Sequence, residues 1–216
     1  MELWLDTIDF NLIEKTTNQL HITGVTTNPS ILSGSPLSVK DTITKLLQIQ
    51  PGRVAVQVTA SSHSDMVAQS KMIAAISPRI IIKIPVNNEG LTAIKLLSTD
   101  SIPTMATAIF ETRQVLLSAM AGATYAAPYF GRIEGDNYAV LTDMLDIIDI
   151  YKYPLKLIVA AIKNKEQVVK VAKSGAHAIT IPSDPFCAFI SDLHLTTESL
   201  DQFTLDWQTS GKSLDI

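Results

Sequence analysis

Eight short apolar runs recur along this chain, and within them apolar residues follow one another without a polar residue at every second place. They span Glu2 to Asp6, Gly24 to Thr27, Arg53 to Thr59, Ile80 to Pro85, Pro103 to Ile109, Tyr125 to Phe130, Leu155 to Ile162 and Ala176 to Pro182. A strand buried on both faces has no solvent side for polar residues, so runs of this kind belong to parallel sheets covered above and below. Between them lie stretches with helix signals: DFNLIEKTTNQL, PLSVKDTITKLLQI, SHSDMVAQSKMIAAI, NNEGLTAIKLL, ETRQVLLSAMAG, NYAVLTDMLDIIDIY and NKEQVVKVAKSG. Asp9, Asn164 and the Ser62/Ser64 pair stand where N-caps belong, and Gly122 and Gly175 where helices stop. Eight such repeats in 216 residues predict an α/β fold, a single (β/α)8 TIM barrel domain over residues 1–216. A doubly wound open sheet, the other candidate, seldom needs eight strands in so short a chain. Residues 196–216 then form a helical tail beyond the barrel, whose Leu200, Phe203, Leu205 and Trp207 need a surface to cover.

With 46% hydrophobic and 18% charged residues, the chain carries ample apolar mass for one core, which excludes a disordered protein. Lys and Arg number 17 against 21 Asp and Glu, so the basic excess that phosphate-backbone binding requires is missing and no nucleic-acid partner is expected. The uncharged stretch between Arg113 and Arg132 approaches membrane-spanning length. Gly122 and Pro128 divide it into helix, turn and strand, so no membrane association is expected. Cys187 is the one cysteine and has no internal disulfide partner. The opening MELWLDTIDF shows no basic segment followed by an apolar one, and the expectation is an intracellular, cytoplasmic protein.

In a barrel, catalytic groups come from the C-terminal ends of the strands, so polar residues that interrupt or end the apolar runs are the candidates. They are Asp6 on the first strand, Thr26, Thr27 and Asn28 on the second, Gln57 on the third, Lys83 on the fourth, Thr107 on the fifth, Tyr129 on the sixth and Lys163 after the seventh. Lys83 stands out, because IIIKIP sets an amine among aliphatic side chains. Lysine is almost never fully buried without a partner, and burial favours the neutral amine that condenses with carbonyls. Pairing with Asp6 or Glu89, or a head group reaching solvent, is the structural alternative. Asp6 alone reads equally as a helix cap or strand-edge acid. Pro29 holds Asn28 extended, which presents its side chain at the mouth or merely completes a turn. Gln57 and Thr107 are costly to bury unless paired with each other, with water or with a ligand. Tyr129 reads as a core aromatic with a bonded hydroxyl or as a mouth residue. Arg132 and Lys163 lie past strands six and seven, where barrel loops often hold phosphate, or are solvated surface charges. The four histidines have no ligand spacing and neither GxGxxG nor a P-loop occurs, so no metal and no nucleotide cofactor is expected.

The strings WLDT, GVTTNPSI, IIIKIPV, EGLTAIKLL, IPTMATAIF, AGATYAAPYFGRI and the closing DW at Trp207 together resemble the fructose-6-phosphate aldolase and small-subunit transaldolase family, class I Schiff-base enzymes, over the length of the chain. The resemblance implies a cofactor-free (β/α)8 enzyme acting on sugar phosphates, in which Lys83 forms an imine with the substrate ketone. Asp6, Asn28 and Thr26 would contact the hydroxyls of the dihydroxyacetone unit and assist proton movements. A water among Gln57, Thr107 and Tyr129 would serve as general acid and base, and Arg132 and Lys163 would receive the phosphate. The protonated imine is an electron sink, so cleavage of the adjacent C–C bond leaves an enamine instead of a bare carbanion. The resemblance also implies a homo-oligomer, a decamer of two pentamers whose C-terminal helices reach neighbouring subunits.

Transaldolases of the family typically carry Glu, Asn and Phe where this chain has Gln57, Thr107 and Tyr129. The implied activity is therefore the aldolase reaction, cleaving or forming fructose 6-phosphate from dihydroxyacetone and glyceraldehyde 3-phosphate. The alternative is a transaldolase moving the same unit between sugar phosphates in the pentose phosphate pathway. Ala161 departs from the family pattern by replacing a phosphate-binding serine, which implies a weaker phosphate grip. It is also the one hint of a third reading, an inactive barrel serving as scaffold or sugar-phosphate binder.

Overall fold

The computed structural model describes residues 1–214; the last two residues of the expected tail, Asp215 and Ile216, lie outside the described residues. Eight strands, β1 (Glu2–Asp6), β2 (Gly24–Thr26), β3 (Arg53–Gln57), β4 (Ile80–Pro85), β5 (Thr104–Ile109), β6 (Tyr125–Pro128), β7 (Lys156–Val159) and β8 (Ala178–Ile181), pair in chain order, all parallel, and β8 closes on β1. Helices α1 (Phe10–Gln19), α2 (Pro29–Ser33), α3 (Val39–Ile49), α4 (His63–Ala74), α5 (Asn88–Thr99), α6 (Thr112–Met120), α7 (Asn137–Tyr151), α8 (Lys165–Ser174) and α9 (Ser183–Phe189) alternate with them, and α10 (His194–Ser210) follows. This is the expected (β/α)8 barrel with its terminal helix.

β1 and β4 match the expected runs end to end; the other strands are shorter, because apolar residues past the ladder, such as Ile162, are buried as loop residues. Asp9, Ser62 and Asn164 cap α1, α4 and α8 by accepting a backbone N–H of the first turn. α2 and α9 are not foreseen by the apolar pattern, since PSILS and SDPFCAF are too short to show a helical period. The uncharged stretch before Arg132 divides into α6, a turn and β6, and among the described residues no helix is long and apolar enough to cross a membrane.

Because side chains alternate across a strand, each strand sends one set toward the helices and the other into the barrel. Leu5, Val25, Val54, Ile82, Ala106, Leu157 and Ile179 belong to the outer core. The interior is layered. Its middle is apolar, with Trp4, Ala55, Ile81, Met105, Ala127, Ile158 and Ala178 packed together. Two residues further along the same strands come Asp6, Gln57, Lys83, Thr107, Tyr129 and Thr180, so the polar residues share the C-terminal mouth. Trp4 fills the barrel only because its register partner is Gly24: a Cβ there would lie 2.6 Å from the indole and 2.4 Å from the carbonyl oxygen of Arg53.

The opposite end is closed by Glu2, which accepts hydrogen bonds from Trp4 Nε1 at 3.1 Å, from the Tyr125 hydroxyl at 3.0 Å and from Lys156 Nζ. Burial pushes the Glu2 carboxyl up, but the donors Lys156, Trp4 and Tyr125 outweigh it and hold the group below the ordinary carboxylate value. Burial, together with the Glu2 charge, pushes the Tyr125 phenol up. A carboxyl lowered in the folded state contributes stability that is present above the unfolded-chain value and is lost as pH falls through the folded one. Glu2→Gln is therefore expected to have a lower urea midpoint than the parent at neutral pH and to converge with it as pH falls through the lowered folded-state value of the carboxyl. A gap that stays constant on acidification contradicts this role for the carboxylate.

Candidate active site

Lys83 reaches the mouth from the middle of β4 and is 3% exposed. Its Nζ donates to the backbone carbonyl of Thr27 at 3.1 Å, and no ion pair among the described residues includes it. The structural alternative of a paired Lys83 does not hold. Glu89 instead accepts from the backbone N–H of His63 and lies against its ring, each at 2.7 Å. Asp6 instead accepts a hydrogen bond from the Thr26 hydroxyl at 2.6 Å. An amine in an apolar wall, with a neutral carbonyl as its hydrogen-bond partner, sits in the surroundings used by lysines that form Schiff bases.

Thr26 is fully buried and its hydroxyl also lies 2.7 Å from that of Thr180, so it supports Asp6 from the neighbouring strand instead of being exposed at the opening. Asn28 starts α2: its Oδ1 accepts from the N–H of Ile31 at 2.9 Å, and its side chain lines a cleft at the mouth. Turn chemistry and a place at the opening thus hold together for this residue. Gln57 is the register partner of Lys83 and is half-buried; its amide makes no hydrogen bond among the described residues. The pairing of Gln57 with Thr107 considered from sequence does not occur.

Thr107 pairs instead with Tyr129, donating to the phenol oxygen at 3.2 Å. A bulge in β5 accompanies this contact. Ala108 adopts a left-handed φ of 57°, the register with β6 shifts between Ala106 and Ile109, and Ile109 turns into the outer core. Gln114 holds the bulge, donating from Nε2 to the Ala108 carbonyl at 3.2 Å and accepting from the N–H of Phe110 at 2.8 Å. Gln69 accepts from the N–H groups of Thr59 and Ala60, and Gln167 from that of Lys163, so three mouth loops are fastened by a glutamine of the next helix. Gln114 and Gln167 occupy the third position of their helices, a capping-box signal visible in the sequence.

The cleft above these groups encloses about 500 Å³ and is lined by Asn28, Pro29, Ser30, Ile31, Gln57, Tyr129, Arg132 and Ala161. Arg132 lies over the Tyr129 ring, 5.4 Å from its centroid, and Phe110 meets the same ring edge-on at 5.5 Å. A neighbouring hollow of about 670 Å³ shares Arg132 but contains none of the other expected site residues. Lys163 is exposed and outside the cleft lining, so the expected pair of cations is reduced there to Arg132. Ala161 has a left-handed φ of 59°, and its carbonyl oxygen would lie 2.4 Å from a Cβ on residue 131. Gly131 is thus what lets the loops after β6 and β7 close on each other. Thr180, Ser30 and Gly131 belong to the site although the apolar-run criterion does not single them out. Among the described residues no group of three or more His, Cys, Asp or Glu side chains is placed to hold a metal ion.

The sequence profile described as transaldolase/fructose-6-phosphate aldolase matches residues 3–214. A probable transaldolase 1 of Listeria monocytogenes serotype 4b is 34% identical over 215 residues, covering 98% of this chain and 100% of that protein. A probable transaldolase of Streptococcus agalactiae serotype V is 37% identical with the same coverage. One from Caulobacter sp. strain K31 is 34% identical over 220 residues, covering 99% of this chain and 100% of its own.

Proposed function

The chain belongs to the transaldolase/fructose-6-phosphate aldolase family, and from that membership we propose that it cleaves a ketose phosphate through a Schiff base on Lys83 and passes the three-carbon unit to an aldehyde acceptor. The observation that carries this reading is the buried amine of Lys83, without an anionic partner, on the strand beside Gln57, whose side chain lines the cleft. The amine adds to the substrate ketone and water leaves as the imine forms. Removal of a proton from the hydroxyl on the second carbon from the imine carbon breaks the bond between that carbon and the one before it, and the electron pair moves toward the protonated imine to give an enamine and a free aldehyde. A second aldehyde then takes up the enamine carbon, and hydrolysis of the new imine frees Lys83. Asp6 and Asn28 contact the hydroxyls of the held unit, with Thr26 supporting Asp6. A water held by Gln57, Thr107 and Tyr129 moves the protons.

Transfer stands first because the relatives carry the name probable transaldolase. The second reading is the aldolase reaction that the residue types imply, releasing free dihydroxyacetone. It is favoured by the hydroxyl pair of Thr107 and Tyr129 beside Gln57, which suits a water that protonates the enamine and then hydrolyses the imine. Arg132 is the cationic side chain of the cleft lining and Ala161 offers no hydroxyl, so the phosphate is held by fewer groups than the family pattern provides, with Lys163 acting from outside. The intact set of Lys83, Asp6 and Asn28 leaves the inactive-scaffold reading without support. We place the enzyme in the cytoplasm as a homo-oligomer, a decamer of two pentamers. α10 has no buried residue, and Leu200, Phe203, Leu205 and Trp207 are all exposed, as a helix that packs on another copy requires.

Borohydride reduction in the presence of fructose 6-phosphate is expected to add the mass of the dihydroxyacetone unit to Lys83, and Lys83→Met to lower kcat at least ~10³-fold without loss of folding. Labelling at another residue, or turnover by the variant, refutes the assignment. Tyr129→Phe is expected to cut release of free dihydroxyacetone roughly tenfold or more and to lower transfer to erythrose 4-phosphate by less; the reverse order contradicts the role given to the phenol. In sedimentation, Phe203→Glu is expected to shift a large assembly toward smaller species, and a monomeric parent protein excludes the oligomer.

A further inference from the structure

Thr180, on β8, is 1% exposed, points into the barrel beside Asp6 and has no part in the reaction as described so far. Its hydroxyl lies 2.7 Å from that of Thr26, which lies 2.6 Å from Asp6 Oδ1. A hydroxyl carries one proton, and that of Thr26 is donated to Asp6 Oδ1. The bond between the two threonines therefore takes its proton from Thr180. The chain runs one way, from Thr180 to Thr26 to Asp6. It links β8 and β2, the strands on either side of β1, and its two threonine hydroxyls are buried, where successive hydrogen bonds polarise one another.

We propose that Thr180 is a positioning residue for the Asp6 carboxylate: by donating to Thr26 it strengthens the bond that fixes Asp6 Oδ1 and leaves Oδ2 for the substrate hydroxyl. This rests on the Schiff-base reading, in which Asp6 meets the substrate. The seam between β8 and β1 does not depend on the Thr180 hydroxyl. It is also held by backbone pairing from Glu2 to Leu5 and by a hydrogen bond from Ser183 to the Thr7 hydroxyl at 2.8 Å. Thr180→Val, which keeps the side-chain shape, should therefore fold.

The test is a double-mutant cycle of Thr180→Val with Thr26→Val, with Thr180→Ser as rescue and melting temperature and borohydride labelling measured on every protein. Thr180→Val is expected to lower kcat about five- to tenfold with KM within about twofold of the parent, and Thr180→Ser to restore kcat. In the Thr26→Val background the second substitution is expected to cost nothing more. Parent-like kcat in Thr180→Val, a loss confined to KM, failure of Ser to rescue, or losses that multiply in the double variant each overturn the proposal. Should the parent protein give no adduct at Lys83, the Schiff-base reading fails and the proposal with it. An adduct in parent and variants alike, with unchanged kcat, removes the role of Thr180 alone.

Discussion

The interior of an eight-stranded barrel has to be filled, and here one side chain does most of the filling. Trp4 occupies the centre against Gly24, with Ile81, Met105 and Ile158 around it, and this apolar floor divides the barrel into two polar ends that do not communicate. Below it Glu2, Lys156 and Tyr125 satisfy one another. Above it Thr26, Lys83, Thr107 and Thr180 are buried, so their polar atoms must find partners among the other mouth residues or in a ligand. The placement of Lys83 follows from that floor: its nitrogen has apolar packing beneath it, and the mouth is where a carbonyl compound can meet it.

The polar groups of the mouth solve this constraint in different ways on its two sides. Toward β8, β1 and β2, the buried hydroxyls of Thr180 and Thr26 and the partly buried carboxylate of Asp6 are joined in one series. Toward β3, β5 and β6, Gln57 has no internal partner, while Thr107 and Tyr129 share a longer bond of 3.2 Å. The second side is also where the backbone departs from regular geometry, at Ala108 and Ala161, and where glutamines such as Gln114 fasten the loops. Left-handed alanines persist only when their surroundings over-determine them. The Gln114 clamp at one, and the tight approach of Gly131 to the carbonyl of the other, provide that determination.

How much of this was legible beforehand depended on whether a residue contradicts its local pattern. Lys83 and Asp6 stand out because a charge in an aliphatic run has few structural reasons to exist, and the same contrast delineates eight strands and hence the barrel. Thr180 does not stand out, since threonine in AITI is also a good strand former. The bulge at Ala108 is silent because alanine carries no turn preference. Lys163 shows the opposite failure: position along the chain places it in the loop after β7, but the direction of its side chain depends on how Gly131 and Ala161 meet, which is a tertiary fact. α2 and α9 are shorter than the period that would reveal them.

The division of the mouth bears on the choice between transfer and release. In the proposed mechanism both reactions share the steps up to the enamine, and those steps ask for groups whose hydrogen bonds are set before substrate arrives, a role that suits the series ending in Asp6. They part afterwards, when the enamine meets either an aldehyde or a proton from water. In the proposed mechanism that choice falls to the side bearing Gln57, Thr107 and Tyr129, where a half-buried amide and two hydroxyls offer donors and acceptors to a water but do not use each other up. The outcome is then set by how long a water stays on the Tyr129 side compared with how soon an acceptor fills the cleft beneath Arg132. On this account, substitutions around Tyr129 move the ratio of the two products, whereas those around Asp6 scale both together.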